Sequence, residues 1–188
     1  LYEARAEPAL STRNTLVMAI VVTITDAVLA FPLAYYMVRM ARPQVRALLF
    51  VGVLMPLWSS YLIKAYTWRL ITQQDGPINW TLAKVGLGPV DIAFSYLAMW
   101  LAFSYLWLPY MVLPVYAALE RVPPSFLEAS ADLGGRSWIT FRKIIWPLAL
   151  PGIAAGSIFT FSLTLGDYIA PDLVGGNNHD FIGNVIFR

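Results

Sequence analysis

Cysteine is missing altogether from the 188 residues, which removes disulfides, thiolate metal sites and thiol nucleophiles and leaves the redox compartment unread. Charge is scarce as well. Asp, Glu, Lys and Arg make up 13% of the chain against 59% hydrophobic residues, too few to cover a water-facing surface, so the composition points to lipid as the solvent. Histidine occurs once, at His179 in a Gly-Gly-Asn-Asn-His-Asp run, and no two acids share helical spacing within an apolar stretch. A membrane-embedded hydrolase would need a nucleophile with a base, or paired metal ligands, inside such a stretch. The formal charge of +2, with aromatics embedded in apolar runs, gives no nucleic-acid footprint. No Gly-x-x-x-x-Gly-Lys-Ser/Thr occurs either, so the chain has no phosphate-binding loop of its own. It opens on Leu-Tyr-Glu-Ala-Arg with no charged leader and cleavage site, as expected of a piece of a longer protein.

What is present is length in apolar residues. A helix crossing a hydrocarbon core about 30 Å thick needs roughly 20 of them, and four stretches qualify: Asn14 to Val38, Ala47 to Ile71, Ala93 to Ala118 and Leu148 to Leu165. None alternates with period two, so the spans are predicted to be helices and the fold an all-α, multi-pass membrane bundle. Pro32, Pro56, Pro109 and Pro114 interrupt the first three spans and Pro151 falls in the first turn of the last. Ordinary membrane-helix composition and bends that shape a pathway both fit these prolines. Gly152 and Gly156 form a small-xxx-small pair that lets two helix backbones approach.

Orientation follows from Lys and Arg near the span ends. Arg39, Arg42, Arg46, Arg121, Arg136, Arg142 and Lys143 lie on one side; Arg5, Arg13, Lys64, Arg69, Lys84 and Arg188 lie on the other. The totals barely differ. Three of the first set sit in one very short loop, where the rule is strongest, which puts Met40 to Val45 and Glu120 to Trp146 in the cytoplasm and 72–92 and the chain from Gly166 outside.

The loop Pro123 to Pro151 reads PPSFLEASADLGGRSWITFRKIIWPLALP. Ser125 followed by Glu128 is a capping box, framed by Pro123 and Pro124 before and Gly134 and Gly135 after, which predicts a short helix over Phe126 to Leu133. Phe126, Ala129 and Leu133 share one side of it; Glu128 and Asp132 offer charge elsewhere. Ser137 is placed to cap a further turn through Trp138 and Phe141, running to Trp146 and halted by Pro147. Apolar groups on so short a helix either dock on a partner protein or tuck against the span ends.

The same stretch resembles the cytoplasmic motif of ABC-importer permeases: Glu-Ala-Ala, three residues, Gly, nine residues, Ile, one residue, Leu-Pro. Glu128, Ala129, Gly134, Ile144 and Pro147 match at that spacing, with Ser130 for the second Ala and Trp146 for the Leu. Ser keeps the small volume and Trp the apolar contact. LPVYAALERVPPSFLEASADLGG and TLGDYIAPDLVGG look in particular like the spermidine/putrescine permeases. The resemblance covers nearly the whole chain and implies the polytopic helix bundle of the type I importer permease fold. It implies one transmembrane permease domain over 1–188 with a coupling loop at 120–147, and a family first and last span that are missing here. It further implies a bacterial inner-membrane transporter subunit that is not an enzyme, pairing with a second homologous permease and an external binding protein. ATP-binding subunits, which hold ATP and magnesium, would dock the short helix through Phe126, Leu127, Glu128, Ala129, Asp132, Leu133 and Gly134, with Ile144 and Pro147 completing the motif. Their closure would push that helix and rock the spans between inward and outward states. Glu128 fits a helix cap and a contact to the ATPase alike; Gly134 fits a turn needing positive φ.

A polycation crossing this bilayer needs acidic or aromatic faces. Asp167, Tyr168 and Asp172 follow the fourth span, as a solvated helix end or as part of a pathway. Asp26 lies deep in the first span. An ionised Asp there costs about 3 kcal/mol on insertion scales, so it should face the bundle or a wet cavity, either as a packing partner or on the pathway. Trp58, Tyr61, Tyr66, Trp68, Trp100 and Trp107 offer cation-π faces, though belt and packing roles suit most of them. Import of another small solute, such as an amine, an amino-acid derivative or a phosphonate, is the competing expectation.

Overall fold

The computed structural model describes residues 3–86, 90–175 and 181, with side chains from Ser11 onward; the expectation placed on His179 lies outside them. In chain order the helices are α1 (Glu3–Arg39), α2 (Pro43–Trp58), α3 (Tyr61–Thr72), α4 (Pro77–Lys84), α5 (Tyr96–Glu120), α6 (Pro124–Asp132), α7 (Ser137–Thr140) and α8 (Trp146–Gly166). Wider π turns lie at Phe141–Ile145 and Pro171–Gly175. No strand occurs among the described residues. Three helical stretches are long and apolar enough to cross a membrane, namely Ser11–Arg39, Tyr96–Glu120 and Ser137–Gly166; the broken pair Pro43–Trp58 and Tyr61–Lys84 makes a fourth if it counts as one span.

The sequence expectations need three corrections. The stretch Ala47 to Ile71 is not one helix, because the chain leaves α2 at Ser59 and starts α3 after Ser60, whose ψ of 136° is extended. Pro56 lies inside α2, where its missing donor and its ring weaken the turn before it, and the helix ends two residues later at Trp58. The serines that follow have hydroxyls that compete for backbone groups. Elsewhere proline does not break the helix: α1 runs through Pro32, and α5 through Pro109 and Pro114. Nor does Pro147 halt the segment that begins at Ser137. The π turn hands the Trp146 N–H to the Phe141 carbonyl, and Pro147 then falls in the first turn of α8, where a missing donor is tolerated. Finally, the Ser125–Glu128 capping box does not form. Pro124, with its φ preset, is already the first residue of α6, so Pro123 becomes the cap and no side chain caps the helix.

The chain divides into two compact units, and the long helices contribute to both. In the unit built from 24–56 and 107–160, the core joins Ala30, Ala34 and Met37 of α1 to Met111, Val112, Val115, Tyr116 and Leu119 of α5, with Ile145 and Ala149. The expected small-residue contact is present. A Cβ added at Gly152 would lie 2.5 Å from the Pro114 carbonyl oxygen and 2.6 Å from Ala118 Cβ, and one at Gly156 would lie 3.1 Å from Met111 Cα. Glycine therefore lets α8 and α5 touch backbone to backbone. Thr160 returns its hydroxyl to the Gly156 carbonyl at 3.0 Å, which satisfies it without water.

In the unit built from 1–23, 57–106 and 161–188, buried residues include Met18, Ala19 and Val22 of α1, Ala65 of α3, and Ala98, Met99, Ala102, Phe103 and Leu106 of α5. Gly175 sits against Met99, whose Sδ a Cβ would meet at 2.5 Å. Asn14 donates to the Tyr96 hydroxyl at 3.0 Å.

Candidate functional site

The motif stretch folds as a hairpin, α6 turning back into α7 and the π turn that follows. Its tip explains the two glycines separately. Gly134 has φ +73°, and its N–H bonds the Ala131 carbonyl at 2.9 Å while the Gly135 N–H bonds the Ser130 carbonyl at 2.8 Å. That pair of bonds is a Schellman motif, with glycine at the one left-handed position. Gly135 is needed for space, because a Cβ there would come within 2.5 Å of Ser130 Oγ. Ser130, the departure from the motif's second Ala, closes the hairpin through its Oγ, 2.7 Å from Thr140 Oγ1.

The apolar residues of α6 divide between packing and exposure. Leu127 packs against the core below together with Phe141, while Leu133 is 89% exposed and Phe126 49%. Glu128, Ala129 and Asp132 are also exposed, Ile144 is half-buried, and Pro147 faces out. Phe126, Ala129, Ser130, Leu133, Ile139 and Ile144 line a concavity of about 520 Å³, with Lys143 at its edge. The side chains around this concave floor form an exposed, mainly apolar surface. Trp146, the other departure from the motif, keeps its apolar contact: its ring centroid lies 5.5 Å from that of Phe31 and 6.2 Å from that of Phe141.

The residues expected along a pathway do not form one cluster. In the unit of 57–106 and 161–188, Tyr61 and Asp167 meet. Asp167 is 9% exposed; its Oδ1 accepts the Ile169 N–H at 2.9 Å and the Ala170 N–H at 3.2 Å, and its Oδ2 accepts the Tyr61 hydroxyl. Burial pushes this carboxyl above its ordinary value of 3.8, against the opposing pull of Tyr61 and the two backbone donors. Asp167 is therefore not a solvated helix end, whereas Tyr168 and Asp172 are exposed. Trp58, at the end of α2, is 91% exposed. Trp68 packs on Tyr105 at 5.6 Å between centroids, as Trp107 does on Tyr110 at 5.9 Å. Asp26 belongs to the other unit and is completely buried in α1, as its depth in an apolar span requires. No cluster of His, Cys, Asp or Glu suited to a metal occurs among the described residues.

One constellation was not anticipated. Arg39 and Arg46, which the charge pattern uses only to set orientation, reach Leu119, Val122, Tyr116 and Glu120. The signal available for it was the i, i+4 pair Tyr116 and Glu120 at the end of α5.

Residues 9–188 match the family described as binding-protein-dependent transport system inner membrane component. The inner membrane ABC transporter permease protein YdcU of Escherichia coli K12 is 52% identical over 187 residues, covering 93% of this chain and 59% of that protein. The spermidine/putrescine transport system permease protein PotB of Salmonella typhimurium SL1344 is 34% identical over 92% of this chain and 61% of its own length. The molybdenum transport system permease protein ModB of Azotobacter vinelandii is 28% identical, over 88% and 72%. The chain thus spans about three-fifths of the length of the first two relatives. Among solved structures, a bacterial alginate ABC transporter in complex with alginate pentasaccharide-bound periplasmic protein superposes with a TM-score of 0.80 at 17% identity, over 96% of this chain and 66% of the other. At that identity the likeness establishes the fold.

Proposed function

Because the chain belongs to the family of binding-protein-dependent transport system inner membrane components, we propose that it is the coupling and pore-forming part of an ATP-driven importer of polyamines. In this reading the whole of 1–188 is permease domain, and 120–147 is the loop that faces the cytoplasm. ATP and magnesium are held by separate ATP-binding subunits, a second homologous permease completes the pore, and an external binding protein delivers the substrate. The observation that carries the reading is the α6 hairpin. Its inner side is anchored through Leu127, its tip is fixed by a glycine turn, and Phe126 and Leu133 are left uncovered. A rigid element with a free apolar face transmits force, because a docked partner cannot move it without moving the core beneath.

The substrate class is supported by the 34% identity to a spermidine/putrescine permease. A carboxylate in contact with a passing polycation lowers the energy of the cation in a medium that screens poorly. We assign the pair Tyr61 and Asp167 to such a contact, and Asp26, Trp58, Tyr168 and Asp172 each as a separate candidate. Relatedness to a molybdenum permease keeps another small solute as the second reading. The test is uptake in proteoliposomes holding the complete complex, with labelled spermidine and unlabelled putrescine as competitor. Polyamine uptake driven by ATP, lowered by Asp26→Asn and Asp167→Asn in complexes that still assemble, is the expected result. ATP-driven uptake of an oxyanion or an amino-acid derivative in place of spermidine would overturn the polyamine assignment and leave the permease assignment standing.

A further inference from the structure

Two arginines do more than orient the chain. Arg39, the last residue of α1, donates from Nη2 to the carbonyl oxygens of Leu119, at 3.3 Å, and Val122, at 2.7 Å. The Leu119 carbonyl also accepts the Val122 N–H, at 3.3 Å, just past the end of α5, so the guanidinium joins a turn that is already formed. The Arg39 Nε is buried without an acceptor among the described residues, so the guanidinium is held in place at a desolvation cost. Arg46, in the first turn of α2, donates from Nε to the Tyr116 hydroxyl at 2.6 Å and pairs with the Glu120 carboxylate. Its guanidinium carbon also lies 5.1 Å from the centre of the Tyr116 ring. Tyr116 in turn donates to Glu120 at 3.3 Å, and Phe50 of α2 backs its ring at 5.4 Å.

The turn between α1 and α2 is thus tied at two points to the end of α5. Only Arg121, Val122 and Pro123 separate that end from α6. The link is stiff, because Pro123 and Pro124 have fixed φ and restrict the residues before them. Val122, whose carbonyl Arg39 holds, is itself buried.

We propose that Arg39, Arg46 and Glu120 form a strut: positioning residues that make the α1–α2 pair and α6 move as one body, so that displacement of the docking helix reaches the spans. The inference rests on the functional reading above and adds the residues that carry the motion. If the arginines acted only as orienting charges, lysine would serve equally and the partner carboxylate would not matter. Fork geometry and the paired acid matter for a strut, because lysine cannot reproduce the planar set of donors. Arg46 and Glu120 have side chains 34% and 52% exposed, so cutting their pair should leave the fold intact.

The test uses the complete complex and two labels, at Leu48→Cys on α2 and Ser125→Cys on α6, since this chain has no cysteine of its own. Their distance distribution is measured by pulsed electron spin resonance without nucleotide and with ATP, alongside spermidine uptake per ATP hydrolysed. The wild-type distance should be single, narrow and unchanged by ATP. Glu120→Gln and Arg39→Lys should broaden it and lower uptake per ATP about fivefold, the low end of measured couplings. The exchange Arg46→Glu with Glu120→Arg should narrow it again and recover uptake. A wild-type distance that shifts with ATP overturns the strut, as do single variants that keep wild-type width and coupling in a complex that transports. A wild-type chain that forms no complex with the ATP-binding subunit overturns the functional reading, and the strut with it.

Discussion

Replacing Gly134 separates backbone conformation from packing. Its φ is +73° and a Cβ built there meets nothing within 4 Å, so a substitution acts through the left-handed conformation alone. For an ordinary L-residue that conformation costs about 1–2 kcal/mol, and a β-branched one falls at the upper end. Gly134→Val should therefore shift the equilibrium between the closed and opened hairpin tip by a factor of about 30. Gly134→Ala should shift it less, and Gly134→Asn least, because Asn enters this region readily. The assay is amide hydrogen exchange at Leu133, Gly134 and Gly135, whose N–H groups close the turn, together with uptake per ATP in the assembled complex. Exchange and coupling should worsen in the order Asn, Ala, Val while insertion of the spans is unaffected. Equal effects of Asn and Val, or wild-type coupling in the Val variant, would refute the reasoning.

Gly152→Ala should destabilise the contact of α8 with α5 by about 1–3 kcal/mol, the cost of overpacking against backbone, because the new Cβ meets the Pro114 carbonyl. Gly166→Ala, with open space around it, should change the melting temperature in detergent little, and similar losses at both sites would contradict the packing argument. Asp167 predicts a pH dependence. Its folded carboxyl titrates above 3.8, so the stability it contributes is full below that pH and is lost as pH rises through the folded value. Relative to Asp167→Asn, wild type should lose thermal stability as pH climbs from about 3.8; a constant difference would show that the carboxyl is not held above its usual range.

The spans were legible because apolar length is a one-dimensional signal, and Gly134 was legible because a helix stop followed by glycine has one common solution. The break at Ser59 and Ser60 was not, since hydrophobic composition continues across it and only Pro56 hinted at a stop. The cap of α6 was misread because serine followed by glutamate looked decisive, while Pro124 had already fixed the first turn one residue earlier. Long-range partners were beyond reach. Tyr61 and Asp167 lie 106 residues apart and Arg39 and Val122 lie 83 apart; nothing local announces either pair. The charge pattern used the arginines only for topology, and such a rule says nothing about what a guanidinium bonds once it is in place.

The central claim is that the exposed side of α6 is where the ATP-binding subunit docks, and a single accessible thiol tests it. Leu133→Cys and, as a control on another exposed position, Trp58→Cys start 89% and 91% exposed at the residues they replace, and this chain contributes no competing cysteine. Reaction with a membrane-impermeant maleimide is followed in the detergent-solubilised protein, with and without the ATP-binding subunit. The account predicts that the subunit protects Leu133→Cys at least about tenfold, as burial of a thiol in a protein interface should, and leaves Trp58→Cys unchanged. Equal labelling of Leu133→Cys in the free protein and in a verified complex would contradict it.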